Sequence, residues 1–398
     1  MILRLLRRSA LTLVDRVISC VVDLLVNLGQ GNLVDHLVDH AAKRRDQTTS
    51  VRVCKQQDRL LPLTHNPHAK RLIVFTMPTK APGRAVVSGG IVSIINLCDE
   101  AERLRSIHDS EVCMCVFPGC PPLIKCEWFE NDQMVFRFDQ LREFFRDVDS
   151  VMLHLPEVVT NQFLASITEP DLNWLKSMDS LHINILNQNI QLMPAPDELD
   201  PLKQIATRLT ITTAHKKYCT AEERIRFGVP LHYLSTPKTK YEFREYPAKE
   251  NLLIYSPDLH PLKAATLKVL SAIPGLKCIE IQNMTFEQYK KTIARAKWAL
   301  TFGEGLDGYF VEPISSGAIS FAVYHPAFMT HEYQQLQTVY PSYQLLIERI
   351  AADIARLDHP EEFVSYQREQ FELLNRENSQ KEYLENVARF YQQDYTFP

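Results

Sequence analysis

The spacing of apolar residues changes along this chain. From Met1 to His40 they fall at Leu3, Leu6, Ala10, Leu13, Val17, Val21, Leu24 and Leu28. Steps of three and four place them on one face of a helix, which Gly29 to Asn32 interrupts. Lys43 to Asn66 is polar and is expected to be a linker with little regular structure. Short apolar runs of strand length then take over, at residues 71–77, 112–117, 150–155, 180–186, 209–213, 251–256, 277–281 and 298–302. Helical patterns lie between them, at 89–104, 139–146, 169–178 and 284–297, the last with a capping box at Thr285 and Gln288. Alternation of strand and helix predicts α/β architecture with mostly parallel sheets. Residues 233–250, rich in Pro, Lys and Tyr, read as a linker between two such units. After Tyr324 the pattern is mostly helical.

Length and composition agree with two units. At 398 residues, with 45% hydrophobic and 23% charged residues, the chain is globular. A net charge of −4 supplies no basic field for nucleic acid. The nine cysteines are odd in number and lack CxxC pairs, which suits a reducing compartment and buried thiols rather than disulfides or zinc. No set of metal ligands stands out.

The first forty residues carry Arg4, Arg7, Arg8 and Arg16, while Asp15, Arg16 and Asp23 break the apolar run. A membrane span and a signal peptide are both disfavoured. Two readings stay open: a helix lying on an anionic membrane surface, or one packing on this protein or on a second copy. An organelle-targeting segment is a lesser third.

The densest chemistry lies in residues 298–324. A strand, a glycine-rich turn, a short helix and a second strand are expected there, with Glu304 where the first strand ends and Glu312 on the helix. Seven residues separate the two carboxylates. Gly303, Gly305 and Gly308 let the backbone turn sharply and approach a ligand. Both glutamates would face the crevice beyond the carboxyl ends of parallel strands. Near the other end, Gly89-Gly90 follows a strand and opens a helix, an arrangement that aims free N–H groups at phosphate. His154 ends the strand 150–155. Asn187 and Asn189 follow the next strand, and His215 the one after that. Lys263 opens a helix after the strand 251–256, and Asn283 and Met284 lie in a strand-to-helix turn.

Glu304-x7-Glu312 resembles the E-x7-E motif of retaining GT-B glycosyltransferases of the family 4 type. The order Gly-Gly loop, strand-end His, linker, Lys loop and Glu pair follows that family over residues 71–324. The resemblance implies a GT-B fold: two Rossmann-like domains facing a cleft. The corresponding divisions are 1–66 for the helical extension and linker, 67–240 for an acceptor-side domain, 241–375 for a nucleotide-sugar domain, and 376–398 for a helix returning to the first domain. It implies a metal-independent enzyme with no cofactor besides its nucleotide-sugar co-substrate. Glu312 would hold the ribose and Glu304 the sugar, with His154 on the sugar's far side. Lys263 with Gly89 and Gly90 would stabilise the departing diphosphate. Asn283 and Met284 would meet the base, Gly305, Leu306, Asp307 and Gly308 the donor, and Asn187, Asn189 and His215 the acceptor. The chain departs from the family by carrying Gly305-Leu-Asp-Gly-Tyr309 between the carboxylates. It also has Asp258 near where an Arg is expected.

The function so implied is transfer of a sugar to a glycan or lipid-linked acceptor in surface polysaccharide synthesis, in the cytoplasm or peripherally on the inner membrane face. A sugar-nucleotide epimerase or phosphorylase on the same fold is the alternative enzyme. A non-catalytic GT-B scaffold partnering another glycosyltransferase is the alternative without catalysis.

Overall fold

The computed structural model describes residues 49–78, 89–126, 130–236, 240–377 and 379–398. The expected helix of residues 1–40 lies outside them. Contacts divide the chain into one unit ending at Leu63 and another running from Thr64 to Pro398. In the first, residues from 49 onward are helical, which corrects the expectation of an unstructured linker. Lys, Gln, Arg and Leu between residues 52 and 61 are good helix formers, and no Gly interrupts them.

The second unit holds two wholly parallel sheets. The strands of the first are β1 (Arg71–Met77), β2 (Glu111–Val116), β3 (Val135–Phe136), β4 (Ser150–Pro156), β5 (Ser180–Asn187), β6 (Arg208–Thr213) and β7 (Leu231–Tyr233). Their spatial order is β3-β2-β1-β4-β5-β6-β7. The second contains β8 (Glu250–Tyr255), β9 (Lys277–Glu280), β10 (Ala296–Leu300), β11 (Ile319–Val323) and β12 (Val339–Tyr340), in the order β12-β11-β10-β8-β9. Helices cross between the strands, so the central strands are covered on both faces. That is why β1 carries the apolar run Leu72–Phe75 and β10 the run Trp298–Leu300. Three short edge strands, β3, β7 and β12, escape the sequence reading because two or three residues carry no period.

Each sheet has a point where strand order reverses: between β1 and β4 in the first, and between β8 and β10 in the second. Open α/β sheets leave a crevice there, at the carboxyl ends. Among the described residues, the segments following β4, β8 and β10 lie at the two crevices.

The terminal helix Gln380–Tyr391 buries Tyr383, Val387, Phe390 and Tyr391 in a core with Phe75 and Met114 of the first sheet and Ile94 of the helix Gly89–Arg103. His232 Nε2 meets the Asn386 carbonyl oxygen at 2.8 Å. Phe397 pairs with Leu231 beside it. Burying Phe390 stabilises this closure by about 2 to 3 kcal/mol. The helices Tyr343–Leu357 and Pro360–Glu377 place Leu346, Ile350, Phe363 and Tyr366 against Trp298 and Phe321 of the second sheet. Among the described residues no helix is long and apolar enough to cross a membrane.

Candidate functional site

The glycine-rich turn after β10 is built around Asp307, which caps the helix Gly308–Ser315. Its Oδ1 accepts the Phe310 N–H at 3.1 Å, and its Oδ2 accepts the Thr301 hydroxyl at 2.5 Å. Gly303 is hemmed in: a Cβ there would stand 2.8 Å from a carboxylate oxygen of Asp307 and 2.8 Å from one of Asp258. Gly305 has φ +84°, and its Cβ would stand 3.0 Å from the Val323 carbonyl oxygen, so a side chain is disfavoured twice over. Leu306 packs with Phe310 and Met329. This backbone carries Glu304 to Asn189 of the first sheet's side and Glu312 onto the helix Gly308–Ser315.

The opposite wall comes from the first sheet. Glu157 follows β4 directly and is only 6% exposed. Its Oε1 accepts the Asn189 N–H at 3.0 Å. Asn189, just past β5, donates from Nδ2 to Glu304 Oε1 at 2.5 Å. The two sheets also meet farther along. Tyr218 donates its hydroxyl to the Ala327 carbonyl at 2.7 Å, Lys217 donates to the Pro326 carbonyl, and the His215 and Phe328 rings lie 5.7 Å apart.

The electrostatics are acidic. Burial pushes Glu304 up to about 7, helped by Asp307 and Asp258 and opposed by the Asn189 amide. Burial likewise raises Glu157 to about 7, with backbone N–H groups opposing and Glu304 adding. Asp307 rises to about 6 through burial, against the pull of Thr301. Glu312 also rises to about 7 through burial, while the hydroxyls of Tyr289 and Tyr241 work the other way. No cation is among the larger contributors to any of these shifts. Asp258 stands near where the family resemblance expects an Arg, and burial is the main cause that raises the pKa of these carboxyls.

The other predicted residues are distributed unevenly. Asn283 has φ +53° and is exposed in the turn after β9. Met284 packs on the same core cluster as Tyr241, Tyr289 and Tyr309. Gly89 and Gly90 open the helix Gly89–Arg103 as predicted, and the Gly90 carbonyl accepts from Gln188 Nε2 at 3.3 Å. Asn187 is buried, and its Oδ1 has no partner. Burial lowers His215 to about 4, although the Gln188 carbonyl pulls upward.

His154 requires a correction. It is fully buried and stacked on Phe75 at 4.3 Å, with Nδ1 3.0 Å from Asn184 Nδ2 and Nε2 3.3 Å from the Tyr391 hydroxyl. It is a core histidine, held neutral by burial, and it does not face the cleft. Side chains alternate along a strand, and position 154 points into the layer that the terminal helix covers. Lys263 is also engaged. It donates to Glu280 Oε1 at 2.7 Å and to the carbonyls of Ser256 and Asp258 at 3.0 Å each. Glu157, Tyr241 and Tyr289 join the site without having been singled out for it, and Asp258 enters it as a neighbour of Glu304 and Asp307. Glu157 had one visible signal, a carboxylate immediately after a strand end.

No family model and no curated protein sequence matches the chain. Solved structures do resemble it. HepE from Anabaena, in complex with UDP-glucose, superposes with a TM-score of 0.51 at 10% identity, covering 82% of this chain and 100% of that one. The trehalose-6-phosphate synthase OtsA gives 0.43 at 10% identity, over 81% and 97%. A chain of the accessory secretory protein 1, 2 and 3 structure from Streptococcus pneumoniae gives 0.37 at 13% identity; the match spans 64% of this chain but only 58% of that one. The likeness to HepE concerns the fold, and with two parallel Rossmann-like sheets facing a cleft the chain has the GT-B architecture.

Proposed function

We propose that this chain is a glycosyltransferase that takes a nucleotide-sugar donor, retains the configuration at the transferred carbon and uses a glycan or lipid-linked acceptor. The observation that carries the reading is the placement of Glu304 and Glu312 by one glycine-rich turn at the switch point of the second sheet, with Glu304 meeting Asn189 from the first. The GT-B architecture supports it, and HepE, of the same fold, binds UDP-glucose.

In this reading Glu312, ringed by Tyr241 and Tyr289, holds vicinal ribose hydroxyls. Met284, in the same aromatic cluster, meets the base. Glu304 and Asn189 hold sugar hydroxyls between the two walls. The start of the helix Gly89–Arg103 offers N–H groups to the diphosphate. Preorganised donors of this kind lower the barrier by stabilising charge as it develops on the leaving group. Acceptor attack from the leaving-group face, with a phosphate oxygen helping to remove the proton, follows from the family resemblance, as does independence of metal. Surface polysaccharide synthesis at the inner membrane face belongs to the same proposal.

A second reading has its own support. Lys263 is held by Glu280 and two carbonyls, and Asp258 stands where a cation would help a diphosphate leave. A non-catalytic scaffold would need neither charge. Acceptor-dependent release of nucleoside diphosphate separates the readings. Release that requires acceptor and disappears in Glu304→Ala supports the transferase, release without acceptor points to hydrolysis or epimerase-type chemistry, and no release with any donor supports the scaffold.

A further inference from the structure

Three observations converge on Glu157. It stands directly after β4, at the switch point of the first sheet, opposite the turn that carries Glu304. Its carboxylate accepts backbone N–H groups from Gln188 and Asn189 as well as its own, with Asn189 at 3.0 Å. The turn held in this way reaches in two directions. Gln188 Nε2 donates to the Gly90 carbonyl at 3.3 Å, and Asn189 Nδ2 donates to Glu304 Oε1 at 2.5 Å. The Asn189 amide has one usable orientation, because its Oδ1 accepts the Gln191 N–H at 2.9 Å and leaves Nδ2 to face Glu304.

We propose that Glu157 is a positioning residue: by gripping the Gln188–Asn189 turn it sets the Asn189 amide and, through that amide, the orientation of Glu304 on the opposite wall. This rests on reading the cleft as the donor-sugar site. The substrate would touch Asn189 and Glu304, and Glu157 would act from behind them. A carboxylate suits the task because it only accepts, and three converging N–H groups need acceptors. The same turn also touches Gly90, so Glu157 registers both candidate halves of the donor site against each other.

Hydrogen–deuterium exchange of the ligand-free full chain tests this without assuming any activity. Glu157→Ala should raise exchange across the cleft, in peptides covering residues 302–308, by about threefold or more. Asn189→Ala, at a half-buried turn position, should do the same. The double variant should exceed neither single variant, because all three break one chain of contacts. Exchange raised only near residues 150–160 and 186–192, or additive effects in the double variant, would overturn the proposal. If Glu157→Ala fails to fold, an unchanged 302–308 region in Asn189→Ala overturns it equally. With a donor that turns over, Glu157→Ala should lower kcat about tenfold and change KM little, since it disturbs orientation more than occupancy. Coupled exchange without turnover leaves the positioning intact and sinks only the enzymatic reading. Turnover without coupled exchange sinks the positioning alone.

Discussion

The Lys263 ammonium lies 2.7 Å from Glu280 Oε1 and is held further by the carbonyls of Ser256 and Asp258. The rings of Tyr255 and Phe302 flank it at 5.3 and 5.4 Å. Both ionic side chains are largely shielded, so the pair contributes more than a surface ion pair would. Lys263→Met should lower stability by about 2 to 3 kcal/mol, because it strands a carboxylate and two carbonyls. In a Glu280→Met background the same change should cost clearly less. Urea unfolding of the four proteins gives the cycle, and equal costs in both backgrounds would show that the pair is not coupled.

Glu304 makes stability depend on pH in a defined direction. Its pKa is raised from 4.5 to about 7 by burial and by Asp307 and Asp258. The folded state therefore holds the proton more tightly than the unfolded one. Its contribution is fully present below about pH 4.5 and is lost as pH rises through about 7. Glu304→Gln keeps an acceptor for Asn189 and places a neutral amide beside the two aspartates. Thermal unfolding should show this variant melting about 1 to 3 °C above wild type at pH 8. The gap should close on going to pH 5. A gap that widens toward acid would contradict the sign.

The helix bearing Glu312 is tied down by a buried lysine. Lys249 Nζ donates to the carbonyls of Ala294, Ala296 and Ser316 at 3.1, 3.0 and 2.9 Å, and burial lowers its pKa to about 7. These carbonyls end the helices Phe286–Arg295 and Gly308–Ser315, which carry Tyr289 and Glu312. Gly317, with φ +86°, lets the chain pass the Arg244 carbonyl closely. Lys249→Met should cost about 3 kcal/mol or more, since it leaves three buried carbonyls without a donor. Denaturant unfolding checks this, and a loss under about 1 kcal/mol would show that water replaces the lysine.

The alternation of strands and helices and the parallel sheets were more legible in the sequence than the roles of single side chains. Long apolar runs such as Arg71–Met77 announce buried parallel strands. The Thr285–Gln288 capping box marks its helix start because the signal is local. Glu304 and Glu312 were visible for the same reason, lying on one continuous turn and helix. His154 was misplaced because strand position says nothing about which face a distant helix, Gln380–Tyr391, will cover. Tyr241 reaches Glu312 from a stretch read as linker, and Glu157 reaches Glu304 only through Asn189. Those contacts join segments far apart in the chain, and no local pattern encodes them.

The central claim is that Glu312 helps bind a nucleoside diphosphate sugar. Titration calorimetry of UDP, GDP, CMP, ADP and dTDP, with their common sugars, into wild type and Glu312→Ala tests it most directly. One nucleotide should bind wild type with a Kd on the order of micromolar, and that binding should weaken by about a hundredfold in the variant. Binding that Glu312→Ala leaves unchanged, or no binding across the whole panel, would contradict it.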